Sequence, residues 1–203
     1  MNVIVFGATG KTGQHVCRIA LERGHDVTAF TRSPNKIEPG AGVRVAEGDV
    51  GDTEAVAEAI AGHEAAIVAL GSNGLRDRTT LASGTRAVVE GMAASRVERL
   101  VVLSAAGVGY SRGQVSLLSR VLFMTLLRNI HADHTAQEAT VRASSLNWTL
   151  VRPGILHDEP ASGSVMATNE GRIGRISRAD LADFLVNTAC EGTYSRQAIS
   201  VTS

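Results

Sequence analysis

A chain of 203 residues, 44% of them hydrophobic, is long enough to bury roughly 70% of the surface its unfolded form exposes, which is core enough for one domain spanning 1–203. Twenty basic residues balance twenty acidic ones, so no net field draws in nucleic acid, anionic membranes or other strongly charged partners. Cys17 and Cys190 lack a C-x-x-C spacing and are too few for a disulfide framework, so they read as buried free thiols in a reducing compartment.

Met1 leads straight into Val3-Ile4-Val5-Phe6 without a basic region or a signal-length apolar stretch, so a cytoplasmic location is expected. Asn2 to Phe6 is a predicted strand, and Gly7-Ala8-Thr9-Gly10-Lys11-Thr12-Gly13 is a turn opening a helix predicted over Gln14 to Arg23. In that setting Gly7, Thr9, Gly10, Lys11, Thr12 and Gly13 form a dinucleotide cradle. Amides at the helix start face a pyrophosphate, and Gly10 lets it approach without a side-chain clash. The Gly10-Lys11-Thr12 run also resembles the end of a triphosphate-binding loop, but Val5 stands where that loop needs its first glycine.

The second predicted strand, Asp26 to Thr31, ends in Arg32-Ser33 where an NAD site would carry an acid for the ribose 2′-hydroxyl. Arg32 offers a planar cationic fork for a 2′-phosphate, Ser33 adds a hydroxyl, and Lys36 lies near in sequence, so the cofactor expected is NADPH. An ordinary surface arginine is the competing reading. After a third strand at Val43 to Ala46, Asp49 and Val50 are placed beside the adenine, where capping of the next helix by Asp49 or Asp52 competes. A helix over Thr53 to Ala61 precedes a strand at Ala65 to Leu70, whose end, Leu70-Gly71-Ser72, falls at the expected switch point of the sheet beside the adenosine ribose.

A helix over Thr79 to Ser95 and a strand at Leu100 to Leu103 bring the chain to Ser104-Ala105-Ala106-Gly107, which is no nucleophile elbow. The apolar segment Val115 to Ile130 is broken by Ser119, Arg120 and Arg128, and its longest uncharged stretch, Val121 to Leu127, is too short for a bilayer. Tyr110 reads either as a platform for a planar substrate or as a solvent-facing loop residue. Met92, Phe123, Met124, Trp148 and Phe184 read as packing. His131 and His134, three apart on a helix over Ala132 to Ser144, have no third partner for a metal. A strand at Thr149 to Val151 is followed by Pro153-Gly154, a polar loop, a helix capped by Ser177 with Asp180 in its first turn, and a last strand at Ala198 to Val201. Alternating apolar strands and amphipathic helices give an α/β, Rossmann-type doubly wound, mostly parallel sheet with helices on both faces. Cap elements come from about 107–130 and 154–203.

Typical carbonyl-reducing enzymes of this architecture use a Tyr-x-x-x-Lys pair. Here the lysines are Lys11 and Lys36, and Gln114 and Ala198 stand four residues beyond Tyr110 and Tyr194. Taken together, the glycine turn, Arg32, Gly48-Asp49-Val50, Leu103-Ser104-Ala105, Ser144 to Thr149, Arg152-Pro153-Gly154 and Ile176 to Asp180 resemble, in order, an atypical short-chain dehydrogenase/reductase. The chain is similar to the NmrA-like NAD(P)H-binding proteins and to the biliverdin-IXβ reductase and flavin reductase group. That resemblance puts Ile130 and His134 at the Tyr/Lys positions and Ser104 near the nicotinamide, with Pro153, Gly154 and Ile155 lining it. His134 then faces the substrate either as proton donor or as a helix-surface histidine. Biliverdin-IXβ reductase carries a histidine where this chain has Gly154.

The expected activity is NADPH-dependent hydride transfer to a flavin, quinone or other conjugated small molecule, chemistry in which binding and orientation do most of the work. A non-catalytic NAD(P)H-sensing regulator, or a reductase or isomerase tailoring an aromatic metabolite, are the alternatives. The chain is expected to act as a monomer or a small homo-oligomer.

Overall fold

The computed structural model describes residues 1–38, 42–72, 74–116 and 125–203. In its first half, β1 (Asn2–Phe6), α1 (Lys11–Glu22), β2 (Asp26–Thr31), a 3-10 turn (Pro34–Lys36), β3 (Arg44–Glu47), α2 (Thr53–Ile60), β4 (Ala65–Val68) and α3 (Thr80–Ser95) alternate. Next come β5 (Arg99–Leu103), a 3-10 stretch (Gly109–Gln114), α4 (Arg128–Ala143) and β6 (Asn147–Pro153). The chain closes with β7 (Ile155–His157), β8 (Met166–Thr168), β9 (Arg175–Ser177), α5 (Arg178–Glu191) and β10 (Gln197–Thr202).

The main sheet has eight strands in the order β3-β2-β1-β4-β5-β6-β10-β8. All neighbours pair in parallel except β8, which runs antiparallel along β10. Side chains alternate across the sheet, so the apolar run of β1 serves two cores. Val3 and Val5 pack with Val16, Ile19, Leu181 and Leu185 of α1 and α5. On the other face Ile4 and Phe6 pack with Val56, Ile60, Val88, Met92 and Val141 of α2, α3 and α4. The order reverses between β1 and β4, which opens a crevice at their carboxyl ends.

The predicted strands and helices all form, with shifted ends. The strand predicted to Leu70 stops at Val68, because the chain leaves the sheet at the crevice. Helices α1 and α4 start at Lys11 and Arg128, ahead of the expected Gln14 and Ala132. Asp52 caps α2 by accepting from the amides of Glu54 and Ala55, and Ser177 caps α5 by accepting from that of Asp180. The stretch read as a polar loop after Gly154 holds three strands of three residues each, too short to show a period. Of these β7 and β9 form a separate parallel pair.

Among the described residues no helix is long and apolar enough to cross a membrane. Ser119, Arg120, Phe123 and Met124, with most of Val121 to Leu127, lie outside the described residues. Cys17 is buried, which pushes its thiol up to about 12. Cys190 is half-buried, with Sγ 3.2 Å from His25 Nε2.

Candidate active site

Gly7 leaves β1 at φ +82°, and a Cβ there would stand 2.3 Å from the Ala69 carbonyl oxygen. A Cβ on Gly13 would stand 2.1 Å from the Gly7 carbonyl oxygen, so α1 packs directly on the turn. Between them the Gly10 amide donates to that same oxygen at 3.0 Å. Gly10 is the N-cap of α1 and offers no side chain to its amides, and the first turn has no acidic residue. A set of amides without a side-chain cap at the positive end of a helix dipole fits a pyrophosphate.

On one side of this turn is a cavity of about 320 Å³ lined by Thr9, Gly10, Arg32, Asp49, Val50, Leu70 and Gly71. Thr80 and Ser83 of α3 complete its wall, and no sequence motif marked them. Arg32 is 63% exposed and lies 3.6 Å from the Asp49 carboxylate, whose other oxygen accepts from the Gly51 amide at 2.8 Å. A Cβ on Gly48 would stand 2.6 Å from the Phe30 ring, so glycine lets the end of β3 cross that ring. Ser33, whose amide donates to Thr31 Oγ1, and Ser72 lie outside the lining of this cavity. Lys36 lines a separate cleft beside α1 with His15 and Arg18.

The second cavity, of about 820 Å³, shares Gly10, Leu70 and Gly71 with the first and also takes in Lys11 and Thr12. Its floor is Leu103, Ser104 and Ala105 from the end of β5, with Pro153, Gly154 and Ile155 after β6, and His134 looks in from α4. A Cβ on Gly154 would meet the Gly174 carbonyl oxygen at 2.2 Å, so the β9 side of the cap closes the space that a histidine would need. At the rim Asp158 bridges Lys11 Nζ at 2.6 Å and Arg178 Nη1 at 2.5 Å. The hydrogen bond from Lys11, with help from Arg178, holds the Asp158 carboxyl below its ordinary range.

Ser104 Oγ donates to Glu138 Oε1 at 2.8 Å beneath the floor. Arg152 of β6, fully buried, donates to the same carboxylate through Nε at 2.8 Å and Nη2 at 2.6 Å. Neither Glu138 nor Arg152 stood out as a site residue, although an arginine inside an apolar strand signals a buried partner. Tyr110 is solvent-facing, 58% exposed, and lies outside the lining of the larger cavity. Its ring covers Arg152, whose guanidinium carbon is 4.4 Å from the centroid, and its hydroxyl donates to the Ala198 carbonyl at 2.7 Å. Trp148 is buried in the core below Arg142.

His134 is half-buried, with Nδ1 3.0 Å from Gln137 Oε1, and the Gln137 amide nitrogen donates to Thr85 Oγ1 at 3.0 Å. That network assigns the neutral ring its proton on Nδ1 and leaves Nε2 an acceptor. Desolvation pulls the His134 pKa below its ordinary value against the hydrogen bond it gives to Gln137 and the nearby Asp133 and Glu138. His131 commits Nε2 to the Gly107 carbonyl at 3.1 Å. Asp133 points the other way, its two oxygens accepting from the Leu81 and Ala82 amides at 2.9 Å each, and so caps α3 from α4.

The NAD(P)H-binding family matches residues 7–191. The uncharacterized sugar epimerase YhfK of Bacillus subtilis is 26% identical over 210 residues, covering all of this chain and 94% of that protein. Among solved structures, ChuY, an anaerobillin reductase from Escherichia coli O157:H7, superposes with a TM-score of 0.84 at 24% identity. That match covers all of this chain and 97% of that one. A short-chain dehydrogenase/reductase of Veillonella parvula, in complex with NADP, gives a TM-score of 0.82 at 21% identity, covering all of this chain and 94% of its own. At these identities the superpositions show a shared fold.

Proposed function

The chain belongs to the NAD(P)H-binding family, and on that premise we propose that it is an NADPH-dependent oxidoreductase acting on a flavin, quinone or other conjugated small molecule. The observation that carries this reading is the second cavity. It opens directly beyond the glycine turn at the carboxyl ends of the strands, has a mostly apolar wall, and has no tyrosine among its described lining residues. Bound NADPH would supply a hydride there. Two features of the walls support a conjugated acceptor: Leu103, Leu156 and Ile173 offer apolar surface to a flat ligand, and among the described lining residues no tyrosine accompanies Lys11.

The chain's own residues then have separable tasks. The first-turn amides of α1 hold the pyrophosphate. Arg32 exchanges Asp49 for the 2′-phosphate, and Thr9, Asp49, Val50, Leu70 and Gly71 enclose the adenosine. Pro153, Gly154 and Ile155 support the nicotinamide side. His134 delivers a proton from Nε2 only as imidazolium, because its neutral form donates through Nδ1 to Gln137. That ChuY is an anaerobillin reductase and that the Veillonella structure holds NADP agree with this reading.

The test is loss of nicotinamide absorbance when the protein is mixed with NADPH and FMN, FAD or a panel of quinones. Turnover far above the uncatalysed rate supports the reductase. Tight NADPH binding with no turnover across the panel would replace it with the sensing role, and turnover confined to aromatic metabolites would replace it with the tailoring role.

A further inference from the structure

Glu138 sits under the floor of the larger cavity and is buried. Arg152 holds it through two hydrogen bonds, and Arg142, one turn along α4, adds an ion pair at 3.5 Å. Burial alone would raise the carboxyl's pKa, yet Arg152, Ser104 and Arg142 together carry it below its ordinary value. An ionised carboxylate can only accept. The proton in the 2.8 Å contact with Ser104 therefore belongs to the serine and points at Glu138. Ser104 lines the cavity although it is buried, and with its proton committed to Glu138 its hydroxyl can meet a bound group only as an acceptor.

Resting on the reading of this cavity as the nicotinamide and acceptor chamber, we propose that Glu138 is a positioning residue that fixes Ser104 as a hydrogen-bond acceptor. This point of the floor thereby selects a bound molecule that presents an N–H or O–H donor over one that presents a carbonyl oxygen. The support under Glu138 is rigid. Arg152 is sandwiched between the carboxylate and the Tyr110 ring, and a Cβ on Gly109 would stand 2.8 Å from its Nη2. Neutral His134 offers a second acceptor, Nε2, to the same cavity. Two groups of the bound complex can supply the donor: the carboxamide of the nicotinamide and an imide N–H of a flavin-like acceptor.

Ser104→Ala in the full chain tests this with two matched pairs of probes, titrated to equilibrium. One pair is NADP+ and its 3-acetylpyridine analogue, in which a methyl ketone replaces the carboxamide. The other is lumiflavin and 3-methyllumiflavin, added with NADP+ present. In the unmodified protein the donor-bearing member of at least one pair binds about five- to tenfold tighter, the range of one net hydrogen bond, and Ser104→Ala abolishes that preference. Loss in the first pair places the donor on the nicotinamide, and loss in the second places it on the acceptor.

Glu138→Gln keeps one accepting oxygen for the donors of Arg152, Ser104 and Arg142 and sets its amide nitrogen against one of them, so the serine proton is held less firmly and the preference shrinks. Each readout is a ratio within one variant, so general loosening of the fold cancels. If Glu138→Gln does not fold, Glu138→Asp, whose shorter side chain withdraws the acceptor from Ser104 while keeping the charge, should lower the same ratio, and an unchanged ratio would remove Glu138 from the positioning role. No preference in either pair, or one that survives Ser104→Ala, overturns the proposal. Absent turnover with the ratios intact would fault the reductase reading alone, whereas failure of all four probes to bind would overturn both.

Discussion

Arg152→Met removes the guanidinium that holds Glu138 and leaves the carboxylate buried with the Ser104 hydroxyl and the more distant Arg142. Breaking a buried pair by removing one partner costs about 3–5 kcal/mol, because the remaining charge is left uncompensated. For a chain of this length each kcal/mol shifts the midpoint by about 2–4 °C, so thermal unfolding at pH 7 should fall by about 6–20 °C. Converting both partners, Arg152→Met with Glu138→Leu, removes the stranded charge and should recover most of that loss.

The pH dependence separates this account from simple loss of packing. In the native protein the folded Glu138 carboxyl lies below its unfolded value, so its contribution is present above the unfolded pKa and fades as pH falls through the folded one. In Arg152→Met the same carboxyl is raised by burial, so protonation stabilises the variant as pH falls through that raised value. The gap between the two proteins should therefore narrow from pH 7 toward pH 5. A gap independent of pH, or a double variant as unstable as the single one, would refute the reasoning.

Three further outcomes are expected. Arg32→Ala should weaken NADPH binding by about 1.5–3 kcal/mol and leave NADH nearly unchanged, read by calorimetric titration, and equal loss for both would remove Arg32 from the 2′-phosphate. Gly13→Ala puts a methyl 2.1 Å from the Gly7 carbonyl oxygen, so it should lose cofactor binding and lower the unfolding midpoint together, and a binding-competent variant would contradict the cradle. If His134 donates as imidazolium, the rate should rise as pH falls through its depressed pKa, and His134→Gln should flatten that limb. Because that depressed pKa favours the neutral folded ring, the stability it contributes is present above the unfolded pKa and falls as the pH drops through it.

The order and type of the main elements were legible because both signals are local: β-branched runs for strands buried on two faces, and three-to-four spacing for the helices that cover them. Gly7 and Gly13 were legible for the same reason, since a turn between strand and helix leaves room for no other residue. What escaped were contacts made across the fold. Glu138 and Arg152 are fourteen residues apart and meet Ser104, thirty-four residues before Glu138, only because β5, β6 and α4 are neighbours in space. The Asp158 bridge escaped because its partners, Lys11 and Arg178, lie at opposite ends of the chain. Lys36 was placed by its nearness to Arg32 in sequence, and the 3-10 turn at Pro34–Lys36 carries it to the cleft beside α1.

Asp133 gives these separate ends of the crevice a common timing. Its two bonds to the first turn of α3 fasten the helix that bears Thr80 and Ser83 to the one that bears His134 and Glu138. If the nucleotide binds against α3 as proposed, it settles on a helix already fastened to the one that lines the proposed acceptor cavity. Compulsory-order kinetics, with the nucleotide arriving first and leaving last, is the steady-state signature this fastening predicts.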